Sequence, residues 1–242
     1  MIIEQTIDKL NWIKLCTMAR EYQKQMENVD ISSMSFDERF GMLVDAEWTS
    51  RQNKYLANLV KKAGMRYNAR IEEVIYKQDR NLNRQMMIQL STCTWIAERL
   101  DVIITGATGT GKTFIGCVLG NCACRNNYKV LYKRVPRLLT DLAISKGDGT
   151  YNKLMKELKK VRLLILDDWG IAPLNPSEGR DFLEVIEDRH QNNSTLIISQ
   201  VPIGNWHALF SDPTVADAVL DRLIHGSYLI ELGGDTMRKY RK

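Results

Sequence analysis

The sequence predicts an α/β domain built on a largely parallel sheet, preceded by a small helical domain. Three observations predict it. Five short apolar runs alternate with longer helical segments after residue 101. A glycine-rich loop stands between the first of those runs and a helix-compatible segment. The first hundred residues carry apolar side chains near helical spacing, with no long alternating strand among them.

In chain order, Leu43, Ala46, Leu56, Leu59, Val60 and Ala63 recur at helical spacing. Ser35 with Glu38 has the pattern of a capping box at the start of that helix, and Gly64 suits its end. A second helical stretch is expected over Arg84–Arg99. The strand candidates are Val102-Ile103-Ile104, Val130-Leu131-Tyr132, Leu163-Leu164-Ile165-Leu166, Leu196-Ile197-Ile198 and Tyr228-Leu229-Ile230. Runs this apolar suit strands covered on both faces. The boundary is expected near residues 76–100; we divide the chain into a helical domain, 1–78, and an α/β domain, 79–242.

A chain of 242 residues, 44% hydrophobic and 26% charged, can bury a sizeable core without disulfides. No run of eighteen or more apolar residues is present, which argues against a membrane span, and the N-terminus lacks the apolar core of a signal peptide. The five cysteines form no CxxC pair and no cluster with zinc spacing, so they read as small buried side chains of a reducing, cytoplasmic protein. The net charge of +5 mildly favours an anionic partner. That charge is uneven: residues 1–50 carry five basic and nine acidic side chains, residues 51–85 nine basic and three acidic.

The strongest signal is Gly106-Ala107-Thr108-Gly109-Thr110-Gly111-Lys112-Thr113, which fits G-x-x-x-x-G-K-[ST] at every required position. Its context is strand, loop, helix. Glycines let the backbone turn tightly and point N–H groups at phosphate oxygens, and the following helix adds its partial positive charge. Lys112 can reach the β- and γ-phosphates, and Thr113 can ligate Mg2+ through its hydroxyl. The nucleotide-binding set therefore covers residues 106–113 together with Phe114.

The run Leu163–Leu166 ends in Asp167-Asp168. Functional groups gather at the carboxyl ends of strands in open α/β sheets. Asp167 suits a magnesium ligand, direct or through water. Asp168 either polarises an attacking water or caps the following loop. Leu196–Ile198 ends in Ser199-Gln200, where a polar side chain could sense the γ-phosphate; Gln200 is the preferred candidate, with Ser199 kept open. Arg222 either reaches the γ-phosphate of a neighbouring subunit or pairs with Asp217, Asp221 or another acid.

Taken together, these segments resemble the helicase-loader branch of AAA+ proteins, and more closely the IstB-type transposition helper ATPases. The resemblance is carried by Asp45-Ala-Glu-Trp-Thr, the loop at 106–113, Tyr132-Lys-Arg-Val-Pro-Arg-Leu-Leu, Leu163-Leu-Ile-Leu-Asp-Asp-Trp-Gly, Ser199-Gln, Asp212-Pro-Thr-Val-Ala-Asp-Ala-Val-Leu-Asp-Arg-Leu and Gly234-Asp-Thr-Met-Arg-Lys. It runs from about Ser35 to the C-terminus. It implies an ATPase, using ATP and Mg2+, that assembles on double-stranded DNA as a homo-oligomer with active sites between subunits and directs a transposase to its target. Two departures stand out. Position 168 is Asp where many AAA+ proteins have Glu, and the chain stops soon after Arg238, which leaves a minimal or absent helical lid. Arg238 is either a second sensor on the nucleotide or a solvated tail arginine.

Two basic segments are candidates for DNA: residues 51–85, and residues 133–160, which Gly147-Asp-Gly149 splits into two expected helices. In the resembled branch an element here lines the assembly and touches DNA, which makes Arg134, Arg137, Lys146, Lys153, Lys156 and Lys160 the DNA-binding candidates. Lys153, Lys156 and Lys160 are spaced to share one helix face. Such phosphate contacts are sequence-tolerant and salt-sensitive. Three other readings compete: a replicative helicase loader, a small-molecule kinase of the same loop type, and a DNA-binding protein that uses ATP as an assembly switch without turning it over.

Overall fold

The computed structural model describes residues 2–28, 31 and 33–237. They fall into two compact units that divide between Asn58 and Leu59. The division lies inside a helix, ahead of the 78/79 boundary read from composition. After that helix ends, residues 64–83 run against the sheet domain instead of forming a further helix of the first unit; Asn121 Nδ2, for example, donates to the Ala69 carbonyl at 2.9 Å.

The first unit contains α1 (Ile2–Trp12), α2 (Cys16–Glu27) and most of α3 (Phe36–Ala63). The capping box forms: Ser35 N–H donates to Glu38 Oε2 at 2.9 Å, and Glu38 N–H donates back to Ser35 Oγ at 3.3 Å. Leu15 gives α2 no side-chain cap. Glu47, buried on α3, does so instead, accepting the N–H groups of Thr17 and Met18 at 3.0 Å each while Arg51 Nε donates to it at 2.7 Å. The Arg51 bond, with the helix N–H groups behind it, holds the Glu47 carboxyl below its ordinary pKa.

In the second unit α4 (Arg84–Ser91) and α5 (Thr94–Ala97) replace the continuous stretch expected over 84–99. Cys93, with φ of +62°, breaks it. Then follow β1 (Val102–Gly106), α6 (Lys112–Arg125), β2 (Val130–Arg134), α7 (Val135–Asp148), α8 (Tyr151–Lys160), β3 (Leu163–Trp169), α9 (Pro176–Arg189), β4 (Ser194–Ser199), α10 (Pro213–Ile224) and β5 (Tyr228–Leu232). Gly149, at φ +77°, ends α7 where the sequence placed a break.

The five strands form one parallel sheet in the order β2-β3-β4-β1-β5. β3 and β4 are buried almost throughout, whereas the edge strands β2 and β5 carry partly exposed residues. One face of the sheet is sealed by an aromatic group in which Trp169 stacks on Phe182 at 4.4 Å and meets Trp206 and Phe210. The carboxyl ends of β1, β3 and β4 therefore open together on one edge of the sheet.

Candidate functional site

Gly106 ends β1 so close to β5 that a Cβ there would sit 2.2 Å from the Leu232 carbonyl oxygen. Gly109 and Gly111 take φ of +92° and +91°. The chain then enters α6 with Gly111 as its N-cap, so the first N–H groups of a fourteen-residue helix face the loop. Thr110 Oγ1 and Lys112 Nζ both donate to the Ala107 carbonyl at 2.9 Å, which keeps the loop wrapped on itself. Burial pushes the Lys112 pKa down, while Asp167 and Asp168 oppose that shift.

β3 delivers the acids. Asp167 is 1% exposed. Its Oδ2 accepts Thr113 Oγ1 at 2.9 Å and the Tyr132 hydroxyl at 2.6 Å, and its Oδ1 accepts the Asp168 N–H at 2.8 Å. The register of β3 against β4 slips between Leu166 and Trp169, and Asp168 sits at φ +61°. A left-handed aspartate at a strand end is a strained feature of the kind found at functional sites. Its carboxylate faces Arg134 at the end of β2 and forms an ion pair with Arg134 Nε. That hydrogen bond raises the Arg134 pKa.

A cavity of about 440 Å³ joins these groups, lined by Thr108, Gly109, Gly111, Lys112, Thr113, Phe114, Asp167, Asp168, Ile198, Ser199 and Gln200. The two sensor candidates separate here. The Ser199 hydroxyl is fully buried, donating to the Trp169 carbonyl at 2.9 Å and accepting from Val201 N–H at 3.0 Å. Gln200 is exposed to the cavity, and its Oε1 accepts Thr108 Oγ1 at 2.6 Å.

Arg66, Tyr67, Glu73, Ile75, Arg80 and Met237 also line this cavity, and sequence reasoning missed them all. Most lie in irregular chain with single 3-10 turns at Ile71–Glu73 and Gln78–Arg80, where periodicity has nothing to register. Arg80, counted in the basic stretch 51–85, is 3% exposed. It donates to the Ile75 carbonyl at 2.5 Å and the Thr110 carbonyl at 3.0 Å, clamping the loop from below. The backbone N–H of Met237 donates to the Gly109 carbonyl at 2.8 Å. Arg238 lies outside the described residues.

Arg222 does not line the cavity. On α10 its Nε meets Glu187 Oε2 at 2.5 Å and its NH1 donates to the Ala218 carbonyl at 2.7 Å, so the acid it pairs with is neither Asp217 nor Asp221. The basic candidates also divide. Arg134 pairs with Asp168, Arg137 with Asp141 at 3.1 Å, and Lys146 with Asp181. Lys153, Lys156 and Lys160 stand exposed on α8, which Lys159 and Tyr151 tie to α9 through Asp188 at 2.9 Å and Glu184 at 2.6 Å.

A family model described as IstB-like ATP binding protein matches residues 8–242. The chain is 40% identical over 242 residues to a protein of Sinorhizobium fredii named as an insertion sequence ATP-binding protein, covering 100% of this chain and 99% of that one. It is 41% identical over 203 residues to a protein of Pseudomonas fluorescens named as the ATP-binding protein of insertion sequence IS1162, covering 84% and 88%. Among solved structures it is similar in fold to DnaI, with a TM-score of 0.60 and 22% identity across 73% of this chain and 93% of that one.

Proposed function

The chain belongs to the family of IstB-like ATP-binding proteins, and on that premise we propose that it is a magnesium-dependent AAA+ ATPase that assembles on double-stranded DNA and directs a partner transposase to its target. One observation carries the proposal. A phosphate cradle, its lysine, a hydroxyl, two carboxylates and an amide converge on one cavity of about 440 Å³, a size that suits a nucleotide.

The residues present fit the metal. Mg2+ usually takes one or two carboxylates together with substrate phosphates, and Thr113 and Asp167, bonded at 2.9 Å, offer one hydroxyl and one carboxylate beside the cradle. When bound, magnesium supplies charge that neutralises the phosphates during transfer. The chain's own groups supply the rest of the chemistry. The loop N–H groups and Lys112 hold the phosphates, Phe114 lies beside them, Asp168 takes a proton from the attacking water, and Gln200 orients that water. The base rests against Tyr67, Ile75 and Met237. Arg222 serves the site of a neighbouring subunit in a homo-oligomer, once freed from Glu187. Arg238, outside the described residues, is proposed as a second sensor. Lys153, Lys156 and Lys160 meet DNA phosphates, and Arg134, Arg137 and Lys146 join them only on leaving Asp168, Asp141 and Asp181. No helix among the described residues is long and apolar enough to cross a membrane, and we place the activity in the cytoplasm.

A second reading, an ATP switch without turnover, is favoured by the Arg134–Asp168 ion pair, which occupies the carboxylate that would activate water. ATP hydrolysis measured with and without duplex DNA separates the two. Turnover raised by DNA and lost in both Lys112→Ala and Asp168→Asn supports the ATPase. ATP-dependent DNA binding with no turnover supports the switch and removes Asp168 from the catalytic set.

A further inference from the structure

Tyr132 touches the acid pair, yet it belongs to neither the phosphate loop nor the acidic strand end. It lies on β2, an edge strand, with its Cα paired to Ile165 of β3. Residues two apart on a strand share a face, so Tyr132 and Arg134 approach the end of β3 from the same side, one at Asp167 and the other at Asp168. The Tyr132 hydroxyl stands 2.6 Å from Asp167 Oδ2. The phenol is the donor and the carboxylate oxygen the acceptor.

The bond therefore acts on orientation. Asp167 takes three donors: Thr113 Oγ1 and Tyr132 on Oδ2, and the Asp168 N–H on Oδ1. Together they fix the rotation of the carboxylate plane. The Asp168 N–H alone would leave Oδ2 free to swing. Thr113 cannot be a permanent anchor, because its hydroxyl oxygen is the atom offered to the metal. Tyr132, standing outside the phosphate loop, is the other donor to Oδ2.

We infer that Tyr132 is a positioning residue for magnesium, holding the Asp167 carboxylate in place beside the Thr113 hydroxyl, the two groups that would hold the ion. The inference rests on the magnesium-dependent nucleotide site proposed above. Partners of metal-ligating groups are worth about 10–100-fold in metal affinity. The lower end is expected here, since Thr113 and the Asp168 amide still restrain Asp167 when the phenol is gone.

The test uses the full chain and a fluorescent ATP analogue. Nucleotide binding is titrated with Mg2+ for wild type and for Tyr132→Phe, each referred to its own affinity in excess EDTA. Phenylalanine keeps the ring and its packing and removes only the donor. The expected result is a half-saturating Mg2+ concentration raised about tenfold in Tyr132→Phe, with full binding recovered at high Mg2+. A tyrosine that merely packs would leave the Mg2+ dependence untouched, so superimposable titrations from a wild type that does require Mg2+ would overturn the inference alone. A wild type that binds no nucleotide, with or without Mg2+, would overturn the functional reading and this inference with it.

Discussion

Replacing Arg80 tests whether the phosphate loop is held by the buried guanidinium beneath it. Arg80 bonds the carbonyls of Ile75 and Thr110, and a Cβ at Gly111 would lie 3.1 Å from its NH2, so the planar head rests directly against the loop. In Arg80→Ala both charged donors disappear. Hydrogen bonds from a charged group contribute about 1.5–3 kcal/mol each. Part of that loss is offset, because burial disfavours the charge and lowers the Arg80 pKa, and that cost vanishes with the side chain. A net destabilisation of about 2–4 kcal/mol follows, which for a domain of this size lowers the melting temperature by about 10 °C. The Thr110 carbonyl, left without its partner, lets the loop relax, so nucleotide affinity falls as well. Arg80→Lys should lie between the two, since an ammonium keeps the charge and cannot span both carbonyls with a rigid fork. Thermal melting by circular dichroism, with fluorescent-nucleotide binding below the transition, reads both effects. Wild-type melting and affinity in Arg80→Ala would show that the loop holds its shape unaided and would refute the reasoning.

Three further outcomes are expected. Charge reversal at Lys153, Lys156 and Lys160 together should abolish filter retention of duplex DNA at low salt, because phosphate contacts dominate such binding; unchanged retention rules out the α8 face. Gly106→Ala places a methyl group 2.2 Å from the Leu232 carbonyl and should lower the melting temperature by at least about 5 °C, whereas an unshifted melt would mean that β5 yields at no cost. Asp101 accepts the Thr195 N–H at 2.6 Å, and burial raises its pKa from 3.8 to about 7. The folded state then holds the proton more tightly than the unfolded chain, so stability present at low pH is lost as pH rises through about 7. Between pH 5 and 7 this amounts to about 2–3 kcal/mol. Chemical denaturation across that range should show the slope in wild type and lose it in Asp101→Asn; parallel slopes would assign the pH dependence to other groups.

Much of this architecture was legible because its signals are local. Central parallel strands must be apolar on both faces, so Leu163–Leu166 and Leu196–Ile198 stand out as continuous runs and become β3 and β4. The phosphate loop is a contiguous motif, and the acids follow their strand without a gap. The break at Cys93 was not legible, since a non-glycine residue at φ +62° has no signature in periodicity. Nor was the choice between Ser199 and Gln200. Both are polar and both end β4; one turns into the sheet to bond the Trp169 carbonyl and the other reaches the loop.

The basic run at 133–137 shows the harder limit. By composition Lys133, Arg134 and Arg137 form a single patch. In the sheet β2 alternates, and its register sets Arg134 opposite Asp167. Arg134 therefore turns toward the acids and pairs with Asp168, while Lys133 pairs with Asp141 at 3.1 Å, an acid that Arg137 shares from one turn away on α7. Charge that reads as a surface in the sequence is thus largely matched within the sheet domain, and which lysines remain for an anion is decided by strand register and by the α8–α9 contacts. Lys153, Lys156 and Lys160 remain exposed because α8 packs through its opposite side, where Met155 and Leu158 are buried and Tyr151 bonds Glu184 of α9. A basic count along the chain cannot separate these two groups; the partner acids, which lie on α7, α9 and the end of β3, can.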